Sequence, residues 1–330
     1  MWTKRVFKKQ CKIDVAVCGS TLSALITVYS SIKQGLNVVW IDDSNEKIGL
    51  ATPVGFDSLS PEGVYYLQHI ISKEELAALS CGNFSGIHRE SQYQQFDSMY
   101  GTGLQLEVPR LKTLLKGKIM EHISPIVDTV INMRPSSNGL ILHTTLGEKI
   151  EASWLIDAQG KYSRTSSQQI EYLSDELFIT RRLVKETAIT NTASFLPHTN
   201  GWTWSAFDEA GNICITQWEI NCSSTQGRLL FNSQWYRRRH AVESLDPGKP
   251  PRILLTVPTF FRLDPSCGLG ATLQIKSALQ AVRSMKLALS NYSFDPIIHY
   301  DYQMKALFGE LARPLAEFYN GYNLLTRCAF

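Results

Sequence analysis

The sequence has no CxxC pair, and its seven cysteines, Cys11, Cys18, Cys81, Cys214, Cys222, Cys267 and Cys328, share no recurring spacing. That pattern excludes a zinc finger or ribbon and a disulfide framework. The seven histidines form no HxxxH or HxH pair, so no metal is assigned. No stretch reaches the ~20 apolar residues of a membrane span. A nucleophile elbow of the Gly-x-Ser-x-Gly kind and a phosphate-binding Gly-x-x-x-x-Gly-Lys-Ser/Thr loop are also missing, as are repeats and low-complexity tracts. Charge of one sign is scarce too: 33 Lys and Arg stand against 30 Asp and Glu, a net +3 that gives no footprint for nucleic acid. The densest basic cluster, Arg237-Arg238-Arg239-His240, reads as a solvated face.

What remains is a chain of 330 residues, 44% hydrophobic and 19% charged, a composition that excludes disorder and fits one large domain or two intimate ones. Cys18 and Cys214 lie in apolar strand-like runs, where a thiol behaves as a small hydrophobe. The chain therefore reads as reduced and cytoplasmic. Lys4, Arg5, Lys8, Lys9 and Lys12 ahead of an apolar run imitate a signal peptide, but Asp14 interrupts that run. A βαβ unit accounts for it better.

Residues 13–18 read as a short buried strand. Gly19-Ser20-Thr21 turns into a helix from about Ser20 to Gln34, with Leu22, Leu25, Ile26, Tyr29 and Ile32 at three- and four-residue steps. Gly35 stops it, and Val38–Ile41 forms a second strand ending in Asp42-Asp43. A helix N-terminus carries unpaired N–H groups and a partial positive charge, so a pyrophosphate docks there. Glycines let the backbone approach that anion, and an acid ending the second strand accepts ribose hydroxyls. Gly19-x-Thr21-x-x-Ala24 and Asp42 occupy these places, with threonine where the middle glycine belongs. Asp42 opposes a 2′-phosphorylated dinucleotide by charge.

Two further segments extend the pattern. Leu140–Thr144 and Ile150–Ile156 alternate around a Gly147-Glu148 turn as a hairpin, which runs into Asp157-Ala158-Gln159-Gly160. Later, Asp264-Pro265-Ser266-Cys267-Gly268-Leu269-Gly270 precedes a helix from about Ala271 to Ser290. Between them, Gly201–Phe207 and Ile213–Ile220 alternate as a second hairpin. Trp202, Trp204, Trp218, Trp235 and Tyr236 make this region aromatic, either as sheet core or as a substrate wall.

In this order the segments resemble the FAD-dependent oxidoreductases of the p-hydroxybenzoate hydroxylase type, over most of the chain. Val54–Pro61 looks like the Gly-Glu-x-Leu-x-Pro segment of the halogenase-like branch, and Gly201-Trp202-Thr203-Trp204 like its Gly-Trp-x-Trp strand. That branch includes flavoproteins that modify tryptophan in quinone-cofactor oxidases.

The resemblance implies an α/β fold: a Rossmann-like FAD-binding domain (1–165 and 252–290), an inserted antiparallel-sheet substrate domain (166–251) and a helical segment (291–330) closing the site. It implies that FAD is bound by Gly19, Thr21, Ala24, Asp42, Arg110, Asp157, Gly160, Asp264, Pro265, Gly268 and Gly270. Trp202 and Trp204 would face substrate, and no catalytic base is named. FAD, reduced by a nicotinamide cofactor or a partner reductase, would form a C4a-hydroperoxide and hydroxylate an electron-rich aromatic. That substrate is a small molecule or a tryptophan within a protein. Gly19→Val is then expected to abolish flavin retention with the fold largely intact.

The chain departs from the pattern at four places. Thr21 replaces the middle glycine, and Val108 stands where the family has an arginine, with Arg110 nearby. Val257-Pro258 takes the place of a Gly-Asp pair, and the Ile-Pro that completes the halogenase signature is missing after Trp204. These departures keep a second reading open, a flavin-free relative acting as a binding or assembly partner. An NAD-dependent dehydrogenase uses only the first βαβ and leaves the later segments unexplained.

Overall fold

The apolar, β-branched run at residues 13–18 forms the strand Ile13–Cys18 at the centre of a parallel sheet. Val38–Ile41 pairs on one side of it and Lys149–Asp157 on the other, and Ile253–Leu255 adds beyond Lys149–Asp157, all parallel. Val242–Glu243 closes one edge antiparallel. The hairpin expected around Gly147 is present, Leu140–Thr144 pairing antiparallel with Lys149–Asp157, and Val130–Pro135 extends it. The computed structural model describes residues 13–43, 55–89, 92–95, 102–174, 176–185, 192–198, 201–219, 228–246, 248–263 and 269–321.

Six helices are described: α1 (Leu22–Lys33), α2 (Pro61–Leu67), α3 (Lys73–Leu79), α4 (Val108–Met120), α5 (Gly270–Asn291) and α6 (Asp295–Gly321). Helix α1 packs between α4 and α5, so residues 22–31 are buried all round rather than along one stripe, Ser23, Thr27 and Ser31 included. Burial of side chains such as Leu25, Ile26 and Val28 stabilises by about 1.5–3 kcal/mol each. Gly35, at φ +76°, donates its N–H to Ile32 O at 2.9 Å and ends the helix, a left-handed conformation that suits glycine.

A second seven-stranded sheet runs in the order Arg228–Ser233, Leu177–Lys185, Asn212–Glu219, Gly201–Phe207, Thr192–His198, Gly86–Arg89, Gln92–Gln95. It is antiparallel except where Thr192–His198 meets Gly86–Arg89. Residues 86–95 thus join strands of the 177–233 stretch. One reading of the sequence is corrected here. Arg238 is 3% exposed, and its guanidinium donates to the carbonyls of Thr259 and Lys161, so the basic cluster is not a uniformly solvated face.

Candidate functional site

The parallel strands align their carboxyl ends. Cys18 pairs with Ile41 and with Asp157, and Asp157 pairs with Leu255. The loops that follow, 19–21, 42–43, 158–160 and 256–259, therefore gather along one edge, the edge where open α/β sheets bind ligands.

Side-chain hydroxyls knit three of these loops together. Thr21 caps α1, its Oγ1 accepting from the Ala24 N–H at 3.2 Å and donating to Ala158 O at 2.7 Å. The hydroxyl of Thr256 bonds to Ser23 Oγ at 3.1 Å. Gly19, at φ +125°, packs so closely on the neighbouring loop that a Cβ there would come 2.5 Å from Ala158 O. Its own carbonyl accepts from the Trp40 indole at 2.9 Å.

Beside this knot lies a cavity of about 390 Å³, bounded by Thr21, Lys112, Pro258, Phe261, Arg262 and Gly270 among others. A second, of about 180 Å³, is bounded by Phe56, Asp57, Arg181, Trp204 and Trp218. The two share Leu22, Val108, Gly270 and Gln274 as a common wall. Gly270 begins α5, whose first turn has neither a side-chain cap nor an acidic residue among the described residues. A Cβ on Gly270 would meet nothing within 4 Å. Lys112 and Arg262 add positive charge to the larger cavity. Arg181 donates to Asp57 Oδ1 and Thr216 Oγ1, both at 2.9 Å. Burial opposes its charge, but the Asp57 carboxylate outweighs that and raises the guanidinium above its ordinary value.

No protein-family model matches the chain, and no curated protein matches it significantly. Solved structures do. The p-nitrophenol 4-monooxygenase PnpA from Pseudomonas putida DLL-E4 superposes with a TM-score of 0.74 at 14% identity, over 94% of this chain and 89% of that one. The flavin-dependent brominase Bmp2 gives 0.72 at 13% identity, over 94% and 88%. The peptidyl tryptophan dihydroxylase QhpG gives 0.67 at 14% identity, over 94% and 75%. The chain has the fold of the flavin-dependent monooxygenases and halogenases.

Within that flavoprotein fold, several expected site residues are elsewhere engaged. Asp42 is buried and its Oδ2 accepts from Lys116 Nζ at 3.2 Å, while Lys116 also lies over the Trp40 ring. Arg110 points to the surface, pairing with Glu107 at 3.7 Å and donating to Ala78 O. Asp157 is fully buried and accepts from Ser163, Thr165, Thr259 and the Gln159 N–H, so it anchors its own loop instead of presenting an acceptor at the edge. Burial raises its pKa despite those bonds. Gly160, at φ +90°, lets its N–H reach Thr259 Oγ1 at 2.8 Å.

Ala24 is buried inside α1. Trp202 is fully buried and stacked on Trp218 at 5.9 Å, which places it in the sheet core, whereas Trp204 lines the smaller cavity. Asp264, Pro265 and Gly268 lie outside the described residues; Gly270 follows them and borders both cavities. Among the described residues, helix α6 contributes no lining residue to either cavity. It packs on α5 and sets Phe308 against Phe261.

Sequence reasoning missed Lys112 and Arg181. Lys112 lies four residues after Val108, on the same helix face, so the i, i+4 spacing carried that signal. Nothing in the sequence pairs Arg181 with Asp57, 124 positions earlier.

Proposed function

We propose that the chain is an FAD-dependent monooxygenase that hydroxylates an electron-rich aromatic, a small molecule or a tryptophan within a protein. The observation that carries this reading is the pair of cavities meeting at Gly270, one basic, the other aromatic. In this reading 1–165 with 252–290 hold the cofactor and 166–251 the substrate, with strands of 86–95 buttressing the latter.

The residues present fit the flavin half of FAD. The uncapped start of α5 at Gly270 suits the electron-rich N1–C2 edge of the ring, and Leu22, Val108 and Pro258 are apolar walls that keep water out. Lys112 and Arg262 suit the pyrophosphate, as does the start of α1, where Thr21 already takes the Ala24 N–H. Bound there and reduced by a nicotinamide cofactor or a partner reductase, FAD supplies the oxygen activation that no side chain provides. Trp204 and Trp218 present flat apolar faces to an aromatic ring, and Arg181 and Asp57 orient it.

A second reading, a flavin-free binding or assembly partner, is favoured by the adenosine end. Lys116 occupies Asp42, the ribose acceptor in the first reading, and Pro258 brings no carboxylate to the ribityl position. The visible spectrum of the purified chain separates the two. A yellow protein bleached by dithionite supports the enzyme; a colourless one that leaves added FAD fluorescence unchanged overturns it.

A further inference from the structure

The smaller cavity has a chemistry of its own. Its volume of about 180 Å³ is close to the about 150 Å³ of a cavity that holds one benzene ring. Phe56, Trp204, Trp218 and Leu22 give it apolar walls. Among the described residues its charged lining is Asp57 and Arg181. Ser58, also in the wall, has given its hydroxyl to Gln105 Oε1 at 2.8 Å.

Arg181 is fixed by two bonds, Nε to Thr216 Oγ1 and Nη2 to Asp57 Oδ1. Among the described residues, Nη1 of Arg181 and Oδ2 of Asp57 make no further hydrogen bond. One donor and one acceptor are thus left over on an ion pair that is neutral as a whole, its guanidinium side chain 13% exposed and its carboxylate side chain 39%.

We propose that Asp57 and Arg181 are the specificity-determining pair of this cavity, which takes a single aromatic ring bearing one uncharged hydroxyl. The hydroxyl donates to Asp57 Oδ2 and accepts from Arg181 Nη1. A bare ring leaves both groups dehydrated and unpaired, the kind of loss that rejects analogues lacking a hydroxyl. A carboxylate meets the charge of Asp57, and an ammonium that of Arg181. The inference deepens the monooxygenase reading and rests on it for calling this cavity the substrate's.

The test uses the full chain as purified, titrated with phenol, toluene and benzoate by calorimetry. Quenching of tryptophan fluorescence by phenol, from Trp204 and Trp218 in the wall, gives a second signal. Phenol is expected to bind at least about tenfold more tightly than the other two, and Asp57→Asn to weaken phenol about tenfold with toluene unchanged. Equal affinity for phenol and toluene, benzoate as tight as phenol, a phenol-to-toluene ratio unmoved by Asp57→Asn, or no binding at all overturns the proposal. Should Asp57→Asn not fold, Ala271→Phe fills the cavity from α5 with the pair intact. Loss of phenol binding there supports the site, and retained binding overturns it. A colourless chain that selects phenol overturns the flavin reading alone, and a yellow chain that does not overturns this pair alone.

Discussion

The hydroxyl of Thr21 donates to the carbonyl oxygen of Ala158 at 2.7 Å, tying together two loops that lie 137 positions apart in sequence. The Thr21 hydroxyl oxygen also accepts the Ala24 N–H, so one side chain both caps α1 and clamps the edge where a dinucleotide would pass. The clamp explains how threonine is accommodated where the resemblance calls for glycine, and it sets the first prediction.

Thr21→Gly removes the clamp and frees the Ala24 N–H. Stability is expected to fall by about 1–2 kcal/mol in urea unfolding, from the lost cap and the lost bond across the loops. FAD affinity, read by quenching of flavin fluorescence, is expected to rise. A fall in both shows that Thr21 itself contributes to ligand binding.

Gly19→Val is expected to damage the fold as well as the site. The backbone is at φ +125° and an added Cβ approaches Ala158 O at 2.5 Å. Such strain costs on the order of 1–3 kcal/mol before any clash is counted, so the urea midpoint drops markedly. This contact argues against the sequence-based expectation of a largely intact fold.

Lys116→Ala removes the ammonium from Asp42. The pair is partly exposed on the lysine side, so its loss is expected to change stability by about 1 kcal/mol or less. If Asp42 is the ribose acceptor, the FAD dissociation constant falls several-fold in the same fluorescence titration. An unchanged constant assigns Asp42 to structure alone.

Asp128 sets an acid limit on the hairpin that feeds Asp157. Burial works against its charge, but bonds from the Thr144 and Thr145 hydroxyls and the Thr129 and Leu146 N–H groups outweigh this and hold its pKa at about 2. A depressed folded value contributes stability that is fully present above the ordinary carboxylate range and disappears as pH falls toward about 2. Asp128→Asn is expected to lower stability at neutral pH and to flatten its decline between about pH 4 and pH 2 in denaturant titrations.

Much of the architecture was legible in local pattern. The strands Ile13–Cys18 and Val38–Ile41 fall where alternation of apolar and turn residues placed them, and α5 starts and stops within one residue of its expected bounds. Leu140–Thr144 and Gly201–Phe207 form the hairpins their periodicity indicated. The site was less legible. Thr21 and Gly270 border one cavity, but Arg110 turned outward and Asp157 inward, because neighbouring glutamate, serine and threonine side chains captured them first.

The sequence by itself determined the βαβ unit, the two hairpins and the helix that begins at Gly270, since hydrophobic period, glycine stops and capping residues act over a few positions. Only the tertiary structure decided that Lys116 neutralises Asp42, that Arg238 is buried, and that Asp57 pairs with Arg181 in the wall of the aromatic cavity. Those pairings join residues 21 to 124 positions apart. Their energies depend on distance and burial in space, which no local spacing encodes.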